Sequence, residues 1–388
     1  MRIGVDATIL ASNNEGIGNY LRELIKNLND TEQFQFIFFT TNNLNLNDQQ
    51  LVTGRNIVIN VNKGKFIGIR TAFLIAKIAR KQKCQLLLST YSHILPLFYL
   101  PCWWLIYDIS PLIHPEYFFT HHNFLIKIKN LPRKLVFNFL FKAAVKSSSR
   151  LLTISDFSKT EIANYFKIST SKIGMIGSGP TSWVNQEIDL ATELKVLNQY
   201  DLKKYKYFVF IGTLSPRKNI SLLISAFTNL LQTKSGHGFK LVIIGKKGWL
   251  YESIFTYLHD LTVKYSHLRL NKMIIFTDFI EATSINVLTK NSLALINPSF
   301  YEGFGMPPLE ALMLGKEVIL SNIPIFQASF LNIAHFFNPY SAQELTTCME
   351  DIINGQILNN KSELEKLISK NNFNLVAEIL LQELTKYA

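Results

Sequence analysis

Short apolar runs alternate with longer amphipathic stretches along the whole chain. In the first half, six apolar runs predict strands over Ile3–Asp6, Phe34–Phe39, Ile57–Val61, Leu86–Ser89, Trp103–Tyr107 and Arg150–Ile154. Apolar residues that recur with a period of 3.6 residues predict helices over Tyr20–Leu28, Thr71–Lys81 and Ser158–Phe166. Strands that alternate with helices are typical of βαβ units, so this half predicts a parallel sheet.

The second half repeats this plan. Five apolar runs predict strands over Phe208–Gly212, Lys240–Gly245, Ile274–Thr277, Leu293–Pro298 and Glu317–Ser321. Helical periodicity covers Ser221–Leu231, Tyr251–Tyr265, Ser284–Thr289 and Pro308–Leu314, and the tail 362–388 predicts one or two further helices. The region around residues 177–206 lacks strong periodicity and is the best candidate for a linker. We therefore expect an α/β protein with two domains.

Composition agrees with two domains. The chain has 388 residues, of which 48% are hydrophobic, enough for two cores. Its three cysteines are scattered, which favours a reduced, cytoplasmic setting. The N-terminus predicts a strand and not a signal peptide. Gln85–Tyr107 has no charged residue and is long enough for a membrane span, but two prolines favour two buried strands joined by a loop.

The positive charge is concentrated in the first half. The net charge is +12, with 21 Lys and Arg against 11 Asp and Glu in residues 1–188, and 19 against 17 in residues 189–388. Two basic, apolar stretches, Lys63–Lys83 and Lys127–Arg150, account for much of the excess. They are typical of segments that lie on an anionic membrane surface, or equally of helices that pack on a sheet with their lysines in solvent. No nucleic-acid-binding module is recognisable.

The most informative segment is Glu302-Gly-Phe-Gly-Met-Pro-Pro-Leu-Glu310. A glycine turn leads into two prolines, which fit the first turn of a helix, so a helix is predicted to begin near Pro307. The N–H groups of that first turn form a site for an anion. Glu302 and Glu310 would repel a phosphate and are better suited to accept hydrogen bonds from hydroxyl groups. A phosphate flanked by hydroxyls describes a nucleotide-sugar.

Three other turns follow predicted strands and add candidates. Arg217 and Lys218 follow the strand that ends at Gly212 and Thr213, at the predicted start of a helix, where two cations are unfavourable unless an anion binds. Gly16 and Gly18 precede the first helix and allow close approach of a ligand.

The fourth turn follows the strand that ends at Tyr107. Asp108 could bind sugar hydroxyls there, and His114 is interpreted as structural rather than catalytic. In parallel sheets, ligands bind where strands end, so the four turns could face one cleft.

These motifs closely resemble those of retaining glycosyltransferases of family 4, which include mannosyl- and rhamnosyltransferase-like proteins. The resemblance is strongest from Phe208 to Ser321. It implies the GT-B fold, with two Rossmann-like domains facing a central cleft. The expected boundaries are 1–180 for an acceptor-binding domain, 181–206 for a linker and 207–370 for a nucleotide-sugar-binding domain. Residues 371–388 form a C-terminal helix, for which packing on the N-terminal domain is one arrangement.

The resemblance also implies roles for individual residues. Arg217 and Lys218 would bind the diphosphate and stabilise the leaving group, Glu310 would bind the ribose, and Glu302 would contact the transferred sugar. Backbone groups complete the predicted donor site, at Gly16, Gly18, Gly212, Thr213, Gly303, Phe304, Gly305 and Met306. The predicted catalytic set is Arg217, Lys218, Glu302, Asp108 and Tyr107.

No metal or other cofactor is expected. The chain has no Asp-x-Asp motif, so Arg217 and Lys218 are expected to neutralise the diphosphate in place of a cation. Tyr107 stands where many relatives have histidine. With a pKa near 10 a tyrosine is a poor proton carrier at pH 7, and a 6-deoxy donor sugar is one explanation of the change.

The leading hypothesis is a retaining, metal-independent glycosyltransferase of surface polysaccharide synthesis. It would move a hexose or deoxyhexose from a GDP-, UDP- or dTDP-linked donor to a glycan or lipid-linked glycan. The expected location is the cytoplasm, at the inner face of the cell membrane if the basic half binds lipid; nucleic acid is not an expected partner. The alternatives are a transferase with a soluble acceptor and a non-catalytic nucleotide-sugar-binding or partner protein.

Overall fold

The computed structural model describes residues 1–11, 15–28, 33–41, 48, 50–61, 69–90, 100–119, 124–358 and 360–388. The chain forms two compact units. The first unit contains Met1–Gly179 together with Lys370–Ala388, and the second contains Pro180–Ser369. Each unit is built on one parallel sheet.

The sheet of the first unit has seven strands in the order β3-β2-β1-β4-β5-β6-β7. They are β1 (Arg2–Asp6), β2 (Gln35–Thr40), β3 (Ile57–Asn60), β4 (Leu86–Ser89), β5 (Cys102–Ile106), β6 (Arg150–Thr153) and β7 (Ile173–Met175). All neighbours pair in parallel. The middle strands are apolar at nearly every position because helices cover both faces of the sheet, as β5 shows with five buried residues in a row.

The helices of the first unit lie on two opposite faces. They are α1 (Glu15–Asn27), α2 (Ile69–Lys81), α3 (Ser110–Ile113), α4 (Glu116–Phe119), α5 (Phe124–Ser147), α6 (Asp156–Phe166) and, at the C-terminus, α16 (Phe373–Tyr387). On one face of β5, Cys102 packs in the cluster that contains α2, and the Trp104 ring lies 4.5 Å from that of Phe141 on α5. Trp103 points to the other face, where its ring is 5.3 Å from Tyr387 of α16. Residues two apart on a strand share a face, so α2 and α5 cover the same side of the sheet.

The second unit has a six-stranded sheet in the order β10-β9-β8-β11-β12-β13. Its strands are β8 (Tyr207–Ile211), β9 (Lys240–Ile244), β10 (Ile274–Asp278), β11 (Ala294–Asn297), β12 (Glu317–Ser321) and β13 (His335–Phe337). Its helices are α7 (Leu190–Gln199), α8 (Ile220–Leu231), α9 (Glu252–Lys264), α10 (Leu270–Met273), α11 (Ala282–Lys290), α12 (Met306–Met313), α13 (Pro324–Phe330), α14 (Ala342–Ile353) and α15 (Lys361–Lys370). The chain builds outward from β8 to β10 and then returns to β11 on the other side of β8. The direction of winding therefore reverses between β8 and β11, which is where such sheets bind ligands.

The predicted strands and helices are confirmed, with ends that shift by one or two residues. The main exception is α1, which begins at Glu15 rather than Tyr20, so Gly16 and Gly18 lie in its first turn and not in a loop before it. The strands β7 and β13 were not predicted. Each has only three residues, too few to show a period.

The predicted linker 181–206 is folded. It contains a 3-10 turn over Ser182–Asn185 and the helix α7, and both belong to the second unit. The side-chain amide of Asn286 on α11 donates to the carbonyl of Trp183 over 2.7 Å, which fastens this segment to the domain. The C-terminal helix α16 belongs to the first unit, where Phe373 lies 5.1 Å from the ring of Tyr20 on α1.

The uncharged stretch after Gln85 contributes strands β4 and β5, as the sequence predicted, and residues 91–99 between them lie outside the described residues. Among the residues that the structure describes, no helix is both long enough and apolar enough to cross a membrane.

Candidate functional site

Two loops meet at the carboxyl edge of the second sheet. One follows β8 and spans residues 212–219; the other follows β11 and spans residues 298–305. Because β8 and β11 are parallel neighbours, paired at Phe208 and Ala294, both loops leave the sheet at the same edge. These loops contain most of the residues that the sequence predicted for the donor site.

Arg217 and Lys218 lie in the first loop, in a 3-10 turn over Pro216–Lys218. As the sequence predicted, they lie next to the start of a helix, with Asn219 between them and α8. Asn219 adopts a left-handed backbone conformation with φ of 53°, and its side-chain amide donates to the carbonyl of Pro339 over 2.8 Å.

Both cations bind the carboxylate of Glu302. Arg217 Nη1 donates to Oε2 over 2.9 Å and Lys218 Nζ donates to Oε1 over 2.5 Å. Glu302 is 8% exposed, and burial by itself would raise the pKa of its carboxyl. The charges of Lys218 and Arg217 outweigh burial and lower that pKa to about 2, so the group is ionised at neutral pH.

The second loop holds this cluster in place through its own polar groups. Ser299 Oγ lies 2.7 Å from Glu302 Oε1 and 2.6 Å from Asn297 Oδ1, and its single hydrogen can serve one of them at a time. The two loops are also joined directly, since Arg217 Nη1 donates to the carbonyl of Tyr301 over 2.5 Å. In return, the Phe300 N–H donates to the carbonyl of Arg217 over 2.9 Å. Ser299 is a functional candidate that sequence reasoning missed.

The helix α12 begins directly after this loop, as predicted. Gly305 has φ of 123°, which disfavours any side chain, and a Cβ there would lie 2.9 Å from the ring of Phe326. Pro307 and Pro308 occupy the first turn, where a missing N–H costs nothing. The Phe304 side chain is buried, with its ring centroid 6.1 Å from that of Phe330. Only the backbone of Phe304 could therefore serve a ligand, as the sequence analysis expected.

Glu310 is buried on the first turns of α12. Its Oε1 accepts from the backbone N–H of Thr181 over 3.0 Å and from the Thr181 hydroxyl over 2.5 Å. Sequence reasoning placed Thr181 in a linker and missed this contact, because the two residues are 129 positions apart. The pair fixes the carboxylate that was predicted to bind a ribose.

The other predicted backbone positions lie around these groups. The Gly212 N–H donates to the carbonyl of Ile244 over 2.9 Å, at the end of β9. Thr213 is exposed, Gly303 is buried, and Met306 is the first residue of α12. Their predicted role in donor binding stays a prediction.

The remaining predicted residues belong to the first unit. Asp108 Oδ1 accepts from the Ser110 N–H over 2.9 Å and from the Ser110 hydroxyl over 2.6 Å, so part of the carboxylate fixes the turn that begins α3. A Cβ on Gly16 would meet no atom within 4 Å, and one on Gly18 would meet only the flexible end of Arg22. His114 Nδ1 is 3.0 Å from Glu116 Oε1, in keeping with a structural role.

Tyr107 has its hydroxyl oxygen buried with no hydrogen-bond partner within the described part of the chain. The ring of Tyr20 meets it edge-on at 5.2 Å. Burial, together with the charge of Asp6, raises the pKa of Tyr107 well above its ordinary value. This hydroxyl can donate a hydrogen bond but is unsuited to proton transfer.

Asp6, the last residue of β1, is a candidate that sequence reasoning missed. It is 1% exposed, and its Oδ1 accepts from the Thr8 N–H over 3.0 Å and from the Thr8 hydroxyl over 2.7 Å. Burial raises the pKa of its carboxyl to about 6, although the bonds from Thr8 oppose this. The sequence signal that could have identified Asp6 is its position at the end of an apolar strand.

No group of three or more His, Cys, Asp or Glu that could hold a metal ion occurs among the described residues.

Comparison with known proteins agrees with this geometry. Residues 195–372, slightly less than half of the chain, match the family model described as glycosyl transferases group 1. This part of the chain is therefore similar to group 1 glycosyl transferases. The matched residues include Arg217, Lys218, Glu302 and Glu310, whereas Thr181 lies before them.

Two curated relatives carry related names. The O-antigen chain mannosyltransferase RfbU of Salmonella typhimurium is 25% identical over 307 residues, which cover 78% of this chain and 76% of the relative. O-antigen chain mannosyltransferase B of Escherichia coli is 30% identical over 180 residues, 46% of this chain and 45% of the relative. The chain therefore matches less than half of the second relative.

The fold recurs in solved structures. Anabaena HepE, solved in complex with UDP and glucose, is similar with a TM-score of 0.72 and 16% identity over 99% of both chains. At this identity the likeness concerns the fold alone. The predicted GT-B class, with two Rossmann-like parallel-sheet domains, is confirmed.

Proposed function

We propose that this protein is a retaining, metal-independent glycosyltransferase. It moves a hexose or deoxyhexose from a nucleoside-diphosphate sugar to a glycan or lipid-linked glycan acceptor in surface polysaccharide synthesis. The observation that carries the proposal is the cluster in which Arg217 and Lys218 bind the buried carboxylate of Glu302, at the carboxyl edge between β8 and β11.

The two cations suit the diphosphate of the donor. When the bond between sugar and diphosphate breaks, negative charge develops on the leaving oxygen, and fixed positive groups stabilise it. One carboxylate neutralises only one of the two cations, so the cluster keeps a net charge of +1. A diphosphate would compete with Glu302 for Arg217 and Lys218, and the N–H groups at the start of α12 add further donors.

The carboxylates suit hydroxyl groups. Glu310 is proposed to accept from the ribose, and Thr181 holds its Oε1 for that purpose. Glu302 is proposed to contact the transferred sugar once the diphosphate shares its cations. Retention follows from attack by the acceptor on the face that the diphosphate leaves, through an oxocarbenium-like state, so no protein nucleophile is needed. This step is carried over from the family resemblance.

Metal independence rests on two features of the chain. The sequence has no Asp-x-Asp pair, and the cations of Arg217 and Lys218 supply the positive charge that a divalent ion provides in other transferases. Addition of EDTA is expected to leave the transfer rate unchanged.

Mannose is the first sugar to test, because two relatives are named O-antigen chain mannosyltransferases. UDP-linked donors come next, since the structure of Anabaena HepE holds UDP and glucose. Tyr107 supports a 6-deoxy sugar as a further hypothesis, because its hydroxyl cannot shuttle a proton and a deoxy sugar lacks one hydroxyl that would need a partner. Better turnover of 6-hydroxylated donors than of deoxy donors would remove this hypothesis.

The proposal is tested first by binding. A panel of GDP, UDP, dTDP and their sugars is added to the full chain, and the melting temperature is measured. A ligand at about 100 times its Kd stabilises the folded state by about 2.7 kcal/mol. The nucleotides with the recognised base should therefore raise the melting temperature clearly more than the others. The same ligands with Lys218→Ala should give no shift.

Turnover is tested with the donor that binds best, on lipid-linked and on soluble glycan acceptors. Transfer to lipid-linked glycan supports the proposal, and transfer to soluble glycan alone favours the second hypothesis, a soluble acceptor. The third hypothesis, a non-catalytic binding protein, gains if the nucleotide-sugar raises the melting temperature but no acceptor pool is glycosylated.

A further inference from the structure

Two helices on the same side of the first sheet have unusual outward faces. The inward side of α2 packs Ala72, Ile75 and Ala79 into the core. The inward side of α5 packs Phe141 and Val145 against β5 and β6. The opposite sides of both helices face outward, and neither is a conventional polar surface.

Large apolar side chains are exposed on both outward faces. On α5, Leu135 is 61% exposed and Phe139 is 71% exposed, four residues apart and therefore on one stripe of the helix. Val136 beside them is 55% exposed. On α2, Phe73 is 53% exposed and Leu74 is 36% exposed. Clustered exposure of this kind marks an interaction surface more often than scattered single residues do.

Basic residues continue each stripe toward the C-terminal end of the helix. Lys77 and Arg80 follow Phe73 on α2 at helical spacing, and Lys142 and Lys146 follow Phe139 on α5. The sequence has no Asp or Glu within 69–81 or 124–147. The one carboxylate of α4, the helix next to α5, is Glu116, and it already lies 3.0 Å from His114 Nδ1.

On both helices, the same number of residues separates an exposed phenylalanine from the C-terminal end of the helix. Phe73 precedes the end of α2 at Lys81 by eight residues, and Phe139 precedes the end of α5 at Ser147 by eight residues. Eight residues of helix span about 12 Å. Helices that connect strands of one parallel sheet run in the same direction, so both helices present their apolar residues before their basic ones in the same direction.

We propose that the outward faces of α2 and α5 form a docking surface for an anionic lipid bilayer. Phe73, Leu135 and Phe139 enter the boundary between headgroups and acyl chains, and the lysines extend to the lipid phosphates. A second copy of this chain fits poorly, because a twofold contact would bring the same basic face against itself. A protein partner fits less well too, since lysine is depleted from the centre of protein interfaces.

The docking surface is independent of the proposed function, because vesicle binding requires neither donor nor turnover. Sedimentation of the full chain is measured with neutral phosphatidylcholine vesicles and with vesicles that contain about 30% phosphatidylglycerol. Binding is expected on the anionic vesicles alone and should weaken as salt is added, because salt screens the lysines.

Paired variants separate the apolar contribution from the basic one. Leu135→Ser with Phe139→Ser should weaken vesicle binding by at least about tenfold, since two apolar side chains no longer enter the bilayer. Lys142→Gln with Lys146→Gln should weaken it roughly 25-fold, about fivefold for each lost charge. Because all four side chains face solvent, the melting temperature should stay close to that of the parent chain.

Matched controls on the second unit should bind as the parent chain does. Val263→Ser removes an apolar side chain that is 67% exposed on α9, and Lys195→Gln removes an exposed charge on α7.

Three results would overturn the proposal. The first is equal binding to neutral and anionic vesicles. The second is tight binding of soluble heparin that Phe139→Ser leaves unchanged, which would indicate a general polyanion site. The third is a concentration-dependent dimer that Phe139→Ser abolishes, which would assign the face to self-association.

Discussion

Each of the two sheets has a buried carboxylate near its carboxyl edge, and the two carboxylates have opposite surroundings. Glu302 in the second unit is bound by the cations of Arg217 and Lys218, and its pKa falls to about 2. Asp6 in the first unit accepts, among the described residues, from the neutral donors of Thr8 alone, and burial raises the pKa of its carboxyl to about 6. The two groups are similarly inaccessible, at 8% and 1% exposed.

The difference shows that burial does not by itself decide the state of a carboxylate. Burial raises the pKa of both carboxyls. The groups of the neighbouring loop decide whether the pKa ends above or below its ordinary value. At the second edge, two cations against one carboxylate leave positive charge for an anion. At the first edge, burial, together with the charge of Asp6, raises the pKa of Tyr107 and of Cys102, so those groups stay neutral. We expect the charged part of a donor to bind in the second unit.

The largest effect expected is loss of transfer on Lys218→Ala. Removal of a fixed donor for the leaving group should lower kcat/KM by about 10²–10³-fold, because the developing charge is no longer neutralised. Steady-state rates measure the change. Lys247→Ala is the matched control: this lysine follows β9, lies 5.6 Å from the ring centroid of Tyr251, and has no assigned part in the site. Equal rates for both variants would remove Lys218 from the mechanism.

Stability at low pH tests Glu302. Because its pKa is lowered on folding, Glu302 contributes stability above about pH 4.5, and this is lost as the pH falls toward about 2. Glu302→Gln should therefore destabilise the protein at pH 7 by about 3 kcal/mol and reduce the loss of melting temperature below pH 4.5. Glu363→Gln, in an exposed pair with Lys366, should cost at most about 0.5 kcal/mol. Equal effects of the two changes would contradict the ion cluster.

For Asp6, the contribution to stability is expected to change with pH in the opposite direction. Its pKa is raised on folding, so the protonated group favours the folded state below about pH 4, and this contribution is lost as the pH rises through about 6. Asp6→Asn keeps an acceptor for Thr8 without the charge and should stabilise the protein at pH 7 by about 2 kcal/mol. Melting curves between these pH values measure it, with exposed Asp156→Asn as the control. A lower melting temperature for Asp6→Asn at pH 7 would show that the charged form is favoured.

A smaller effect is expected at Thr181, which holds Glu310. Thr181→Val keeps the backbone N–H but loses the hydroxyl bond to a charged acceptor, worth about 1.5–3 kcal/mol. Nucleotide affinity should fall about tenfold, measured by calorimetric titration, and Thr181→Ser should restore it. Failure of serine to restore affinity would mean that the methyl group, and not the hydroxyl, matters.

The smallest effect on stability is expected at Tyr107. Tyr107→Phe removes a buried hydroxyl that has no partner among the described residues, so the melting temperature should stay the same or rise, within about 1 kcal/mol. If the hydroxyl contacts a substrate, kcat/KM falls while stability does not. A clear loss of stability would show instead that the hydroxyl has a structural partner.

Much of the second unit could be predicted because its signals are local. The turn before α12 depends on Gly305, Pro307 and Pro308, which are adjacent in the chain and define the start of the helix on their own. Arg217 and Lys218 stand out for a similar reason, as two cations placed directly after an apolar strand. One local detail could not be predicted from a period of 3.6 residues: Asn219, in a left-handed conformation, separates the 3-10 turn of the two cations from α8.

The contacts that complete the site could not be predicted, because they join distant positions. Thr181 contacts Glu310 across 129 residues. The charge of Asp6 acts on the pKa of Tyr107 because β1 and β5 both flank β4. A periodicity specifies which side of a strand is buried, but it does not specify which strands become neighbours. The state of Asp6 follows from such neighbours, and the aspartate itself carries no sign of it.

The sequence by itself determined the two α/β halves, the position of the glycine turn before α12 and the set of charged residues at the site. Those features depend on backbone preferences and on hydrophobic periods that act over a few residues. Only the tertiary structure decided that Glu302 pairs with both cations and that α2 and α5 expose apolar and basic residues on one face. These outcomes depend on which surfaces meet, and they emerge when strand order and helix packing bring distant residues together.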